Sequence, residues 1–191
     1  MKIAMLISGG GTTASAIINA CKSGQLKNIK PVLVVASKDG VDGVKRTVDA
    51  GMDAKDVVVI NPRNFVSPNK FGKAIIKACE ARGVEFVGQY GWLALTPENV
   101  IHRFVGMMTN QHPGPLDPGR PDFGGSGMYG KRVHAACLCF ARKTGRSWWS
   151  EATAQRVAVN FDEGAVLKRR QVPILPDDDV NALAARMLPI E

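Results

Sequence analysis

Three short stretches carry residue types that can do chemistry. Asn110-Gln111-His112-Pro113 sets an amide and an imidazole two residues apart, and in an extended segment that spacing points both side chains to one side. Such a pair suits acyl transfer, because the tetrahedral intermediate needs donors at its oxyanion and a proton must leave the attacking amine. Asp162, in Phe161-Asp162-Glu163-Gly164, adds a carboxylate that can raise the pKa of a neighbouring imidazole, fix its orientation or relay a proton through water. The third stretch is Ser8-Gly9-Gly10-Gly11-Thr12-Thr13. Its glycines allow a sharp turn with positive φ, and its hydroxyls and N–H groups at a helix start can cradle a phosphate monoester. It has neither the Walker lysine nor the glycine spacing of a dinucleotide fingerprint. Each stretch also has a plain structural alternative: a polar pair beside a loop, a chain reversal, and a tight turn that binds nothing.

These stretches need elements to hold them. Through the first hundred residues short apolar runs alternate with helical patterns, which predicts βαβ units and a parallel sheet buried on both faces. The spacing predicts strands at 2–7, 31–36, 57–60, 85–88 and 105–109, with helices at 13–22, 41–51 and 68–82. A fourth helix starts at Thr96-Pro97-Glu98, with the hydroxyl as cap and the proline in the first turn. The glycine-rich loop then joins the first strand to the first helix. Asn110 to Pro113 follow the carboxyl end of the fifth strand, where open α/β sheets present their ligand crevice. Residues 113–130 form a long loop of alternating proline and glycine, of which 114–130 is expected to act as a mobile cover over the site. A helix at 132–142, strands at 152–160 and 165–172 joined by the Asp162 turn, and a last helix after Asp177-Asp178-Asp179 complete the chain. The expected fold class is α/β, a single Rossmann-like, doubly wound, mostly parallel sheet flanked by helices. It forms one domain over 1–191, with a phosphate-binding half at 1–109 and a catalytic half at 110–191.

Composition narrows the partners. A chain of 191 residues that is 45% apolar can build one packed α/β core. The net charge of +8 favours anionic ligands and would also suit nucleic acid. However, the longest basic run, Lys168-Arg169-Arg170, sits in a strand-like alternation and reads as a solvated edge, so nucleic acid is not expected. Cys21, Cys79, Cys137 and Cys139 lack metal-ligand spacing and read as buried free thiols of a reducing cytosol. The first apolar run is too short for a signal peptide and none reaches the length of a membrane span. A cytoplasmic protein with no membrane partner, monomeric or homodimeric, is expected. Trp148 and Trp149 read as core or interface residues.

Together, Ser8-Gly9-Gly10-Gly11-Thr12, Gly91-Trp92-Leu93, Asn110-Gln111-His112-Pro113 and Phe161-Asp162-Glu163-Gly164-Ala165-Val166-Leu167 resemble the glycinamide ribonucleotide formyltransferases, of the folate-dependent formyltransferase family. The likeness spans nearly the whole chain and is far more specific than any one motif. It implies transfer of a formyl group from 10-formyltetrahydrofolate to the amine of glycinamide ribonucleotide, without a metal. It also implies catalytic roles for Asn110, His112 and Asp162, and binding of the substrate phosphate by Gly10, Gly11, Thr12 and Thr13. The 110–191 half is implied to bind folate as well as to be catalytic; Tyr90, Trp92, Leu93 and Ala94 match the folate-pocket wall, where backbone groups meet the pterin, and Glu191 matches a glutamate that contacts the substrate ribose. Other amine acceptors such as a sugar nucleotide, or a catalytically degenerate binding protein, are the alternatives.

The chain departs from the family pattern at several places. The loop after His112-Pro113 is longer and richer in glycine, and Ala94 lies near the place of a family arginine. Gln155 stands where a histidine is usual, and the family continues through a further helical stretch past Glu191.

Overall fold

Five consecutive buried residues, Ile3 to Ile7, make β1 (Lys2–Ile7) a strand covered on both faces. The structure, a computed structural model, describes residues 1–116 and 122–191, which form two compact units, Met1–Thr109 and Asn110–Glu191. All seven strands belong to one sheet in the order β3-β2-β1-β4-β5-β6-β7. This is the mostly parallel, doubly wound α/β class that the alternation of elements predicted.

In the first unit, β1 is followed by α1 (Thr12–Lys22), β2 (Lys30–Ala36), α2 (Asp42–Asp49), β3 (Val57–Val59), α3 (Pro68–Glu80), β4 (Phe86–Tyr90) and α4 (Glu98–Arg103). The pairs β1/β2, β1/β4 and β2/β3 are parallel. Ile3, Met5 and Ile7 of β1 pack with Ala14 and Ile18 of α1 and with Val34 and Ala36 of β2. After β3 the chain crosses to the other side of β1, so strand order reverses between β1 and β4. In open α/β sheets such a reversal opens a crevice at the carboxyl ends of the strands. The loops that leave those two ends are Ser8–Gly11 and Gly91–Thr96.

In the second unit, β5 (Met108–His112), which begins in the first unit, leads to α5 (Lys131–Thr144), β6 (Trp149–Arg156), β7 (Val166–Pro173) and α6 (Val180–Met187). Val133, Cys137, Leu138 and Ala141 line one face of α5 and pack with Ala152, Val172, Leu183 and Met187. Strands β6 and β7 are antiparallel, and Lys168 to Arg170 are exposed on β7, as the solvated reading expected. Asp179 caps α6, its carboxylate accepting from the Ala182 N–H at 2.7 Å.

Several expectations are corrected. The fifth strand runs 108–112 rather than 105–109, because Gly106 takes φ +72° and the Met107 N–H closes a turn on the Phe104 carbonyl. Val105 is apolar yet 76% exposed, so Asn110 and His112 lie within the strand rather than after it. The sixth strand runs 149–156, not 152–160. The Thr96 hydroxyl caps no helix; it accepts from Gln89 Nε2 at 2.6 Å and Trp92 Nε1 at 3.1 Å instead. Of the four thiols only Cys79 and Cys137 are buried, while Cys21 is half-buried and Cys139, two residues beyond Cys137 and turned to the other side of α5, is exposed. Trp148 is exposed and Trp149 half-buried. The expected cover over 114–130 includes residues 117–121, which lie outside the described residues. No helix among the described residues is long and apolar enough to cross a membrane.

Candidate active site

The alternation of β5 puts Asn110 and His112 on one side of the strand, with Asn110 half-buried and His112 only 3% exposed. The imidazole is held at both nitrogens. Its Nε2 lies 3.1 Å from the Phe123 carbonyl, so that nitrogen carries the proton and donates to it. Its Nδ1 faces Asp162 Oδ2 at 3.6 Å, beyond hydrogen-bond length but close enough for charge attraction once the ring is protonated. Burial pushes the His112 pKa below its ordinary value, opposed by Asp162, the Phe123 carbonyl and Asp122. The resting ring is therefore neutral, and a proton arriving at Nδ1 would meet a carboxylate placed to stabilise it.

Asp162 is delivered by the turn between β6 and β7, where it takes φ +57°, a left-handed conformation that Asp tolerates better than most residues. Its Oδ1 accepts from Gln155 Nε2 at 2.5 Å and its Oδ2 accepts from the Gly125 N–H at 2.9 Å. Two glycines permit this packing. A Cβ on Gly124 would lie 2.9 Å from the Asp162 Cβ and 2.4 Å from Leu116 Cδ2, and one on Gly114 would lie 2.3 Å from Val133 Cγ1. The glycine-rich loop that departs from the family pattern thus contributes described residues directly to the Asp162–His112 pair.

Sequence reasoning missed His134. It lies on the buried face of α5, 4% exposed, with Nδ1 unpartnered among the described residues, and its pKa is pushed down by burial and by His112. One turn before Leu138 and two before Ala141, its helical spacing was the available signal. Two imidazoles kept neutral by burial have a consequence for stability. The unfolded chain protonates both below the ordinary value of 6.5 while the folded chain does not, so stability falls as pH drops through that value toward the lowered native ones. Urea unfolding between about pH 5.5 and 7.5 should show this decline, and His134→Gln should flatten it. A wild-type stability unchanged over that window would contradict the burial of neutral rings.

Apart from Glu191, the remaining candidates lie in the first unit, in the loops at the carboxyl ends of β1 and β4. Gly11, at φ +64°, is the N-cap of α1 and no side chain caps the first N–H groups of that helix, an arrangement suited to an anion. Gly11 packs on the start of α2: its added Cβ would lie 2.6 Å from the Gly43 Cα, and the Gly43 N–H donates to the Gly9 carbonyl at 3.1 Å. Arg46, one turn later, donates to the Gly10 carbonyl. Neither Gly43 nor Arg46 stood out in the sequence, yet together they shape the loop and set a cation beside it.

The Ser8 hydroxyl is used internally, accepting from Ser37 Oγ at 2.7 Å and from the Leu93 N–H at 2.8 Å, and the Ser8 N–H donates to the Gly91 carbonyl at 3.1 Å. These bonds tie the glycine-rich loop to the Tyr90–Leu95 segment. Burial pushes the Tyr90 phenol up. Trp92 is buried, its indole stacked on Phe71 at 6.4 Å between centroids and its Nε1–H donating to the Thr96 hydroxyl. Leu93 is exposed and Ala94 half-buried. Glu191, in the second unit, has its carboxyl pushed up by burial, offset in part by the Gln111 side chain.

A family model described as "Formyl transferase" matches residues 1–191. The chain belongs to the formyl transferase family. It is 31% identical over 188 residues to the chloroplastic phosphoribosylglycinamide formyltransferase of Vigna unguiculata, covering 98% of this chain and 56% of that relative. It is 28% identical over 185 residues to the phosphoribosylglycinamide formyltransferase of Haemophilus influenzae, covering 97% of this chain and 79% of the relative. This formyl transferase chain thus spans about half the length of the Vigna relative. Glycinamide ribonucleotide transformylase 1 from Symbiobacterium toebii has the same fold, with a TM-score of 0.84 at 26% identity over 100% of this chain and 81% of that one.

Proposed function

We propose that the chain transfers a formyl group from 10-formyltetrahydrofolate to the amine of glycinamide ribonucleotide, a step of de novo purine synthesis. The observation that carries this is the buried His112–Asp162 pair beside Asn110: a neutral imidazole with one face toward a carboxylate fixed at both oxygens. In the overall reaction an N–C bond forms between the acceptor amine and the formyl carbon, and the bond from that carbon to folate N10 breaks. The amine loses a proton and N10 gains one. Charge develops on the formyl oxygen, where the Asn110 amide is the proposed donor. His112 would carry the proton, and Asp162 would hold the imidazolium and accept the proton through water.

The glycine-rich loop is assigned to the ribonucleotide phosphate. The N–H groups of Thr12 and Thr13 at the start of α1, which no side chain caps, and the Arg46 cation beside Gly10, favour a dianion there. The Tyr90–Leu95 segment is assigned to the folate and Glu191 to the ribose. Residues 1–191 are read as one formyltransferase domain acting on small molecules in the cytoplasm, as a monomer or homodimer. A substrate panel tests the acceptor: kcat/KM for glycinamide ribonucleotide should exceed that for an amino sugar nucleotide by at least about 10²-fold. The reverse order would assign the chain to a different amine.

A further inference from the structure

We propose that Gln155 is a positioning residue for the acid-base pair, fixing the Asp162 carboxylate against His112 with a donor that carries no titratable proton. This rests on the reading of His112 and Asp162 given above. Gln155 is 2% exposed on β6, and its Nε2 donates to Asp162 Oδ1 at 2.5 Å. Its orientation is set by that bond. The amide oxygen turned toward the carboxylate would be repelled, and Oε1 has no partner among the described residues that would favour another arrangement. With the Gly125 N–H on Oδ2, each carboxylate oxygen has its own fixed donor, and rotation that would carry Oδ2 away from His112 Nδ1 breaks both bonds.

The backbone is shaped for this contact. The β6/β7 register shifts between Ala154 and Gln155, and such an irregularity re-aims the side chain that follows it. Beyond it the hairpin is closed by the Arg156 N–H on the Ala165 carbonyl at 2.9 Å, with Gly164 so near Arg156 that an added Cβ would sit 1.7 Å from its carbonyl oxygen. Among the described residues, the titratable groups facing His112 are Asp162 in the hairpin turn, Asp122 in the loop before α5 and His134 on α5. Gln155 adds a strong contact to this cluster without adding an ionisation.

The test is the His112 imidazole titration, followed by NMR on the full chain without substrate, together with kcat and both KM values. In Gln155→Leu, Asp162 loses its Oδ1 donor and turns from the ring. His112 should then titrate at lower pH than in the wild type, and kcat should fall about tenfold with both KM values within about twofold. Gln155→His, which restores an N–H donor, should recover most of kcat and add an ionisation to the pH profile. An unchanged His112 titration and a kcat within about twofold in Gln155→Leu would overturn the proposal and leave Gln155 as packing. Should Gln155→Leu not fold, Gln155→Asn, whose amide is one methylene short of Oδ1, should produce the same shift, and its absence there overturns the proposal equally. The titration needs no substrate, so a chain that shows the shift yet fails to formylate the ribonucleotide refutes the functional reading and leaves the positioning role standing.

Discussion

His112→Ala should lower kcat for formyl transfer by at least about 10²-fold while leaving both KM values nearly unchanged, because general acid-base groups contribute that much in the transition state alone. The alanine removes the Nε2 proton that meets the Phe123 carbonyl and the Nδ1 atom that faces Asp162. Asp162→Asn should act in the same direction. It keeps the shape of the turn but takes away the negative charge that opposes the burial of His112, so the ring should titrate at still lower pH and carry a proton less readily. If either variant retained kcat within about threefold of the wild type, the pair would have a structural role only.

The second large effect is expected at Gly11. A valine there would place Cβ 2.6 Å from the Gly43 Cα, in a backbone with φ +64° that a β-branched residue resists. Either α2 withdraws, taking Arg46 from the loop, or the loop opens; both remove donors from the phosphate. Hydrogen bonds to a charged group are worth about 1.5–3 kcal/mol each. Losing one raises KM for the ribonucleotide by at least about tenfold. The folate KM should rise far less. Equal rises for both substrates would show that the loop supports the unit as a whole, and circular dichroism of the variant at the assay temperature separates this from unfolding.

How much of this was legible in the sequence differs from element to element. Strands β1 and β2 were readable because a strand buried on both faces leaves a continuous apolar run, as in Met5-Leu6-Ile7 and Leu33-Val34-Val35. Strand β5 was misplaced because its residues are polar: Thr109-Asn110-Gln111-His112 form the strand while the apolar Val105 lies exposed before a left-handed glycine. The Asn110–His112 spacing was legible, since alternation along a strand is local. The contacts of Asp162 were not. The Gly125 N–H comes from a point 37 residues earlier in the chain, and no local pattern marks it. Gly43 and Arg46 were hidden for the same reason, because a glycine demanded by the approach of another loop looks like any other glycine until the helix is docked.

The most direct test of the central claim is a spectroscopic assay of folate deformylation, run on the purified chain with and without glycinamide ribonucleotide. Deformylated folate should appear only when the ribonucleotide is present, in step with one formylated ribonucleotide per folate consumed. No deformylation with the ribonucleotide present, or the same rate without it, would contradict formyl transfer to this amine.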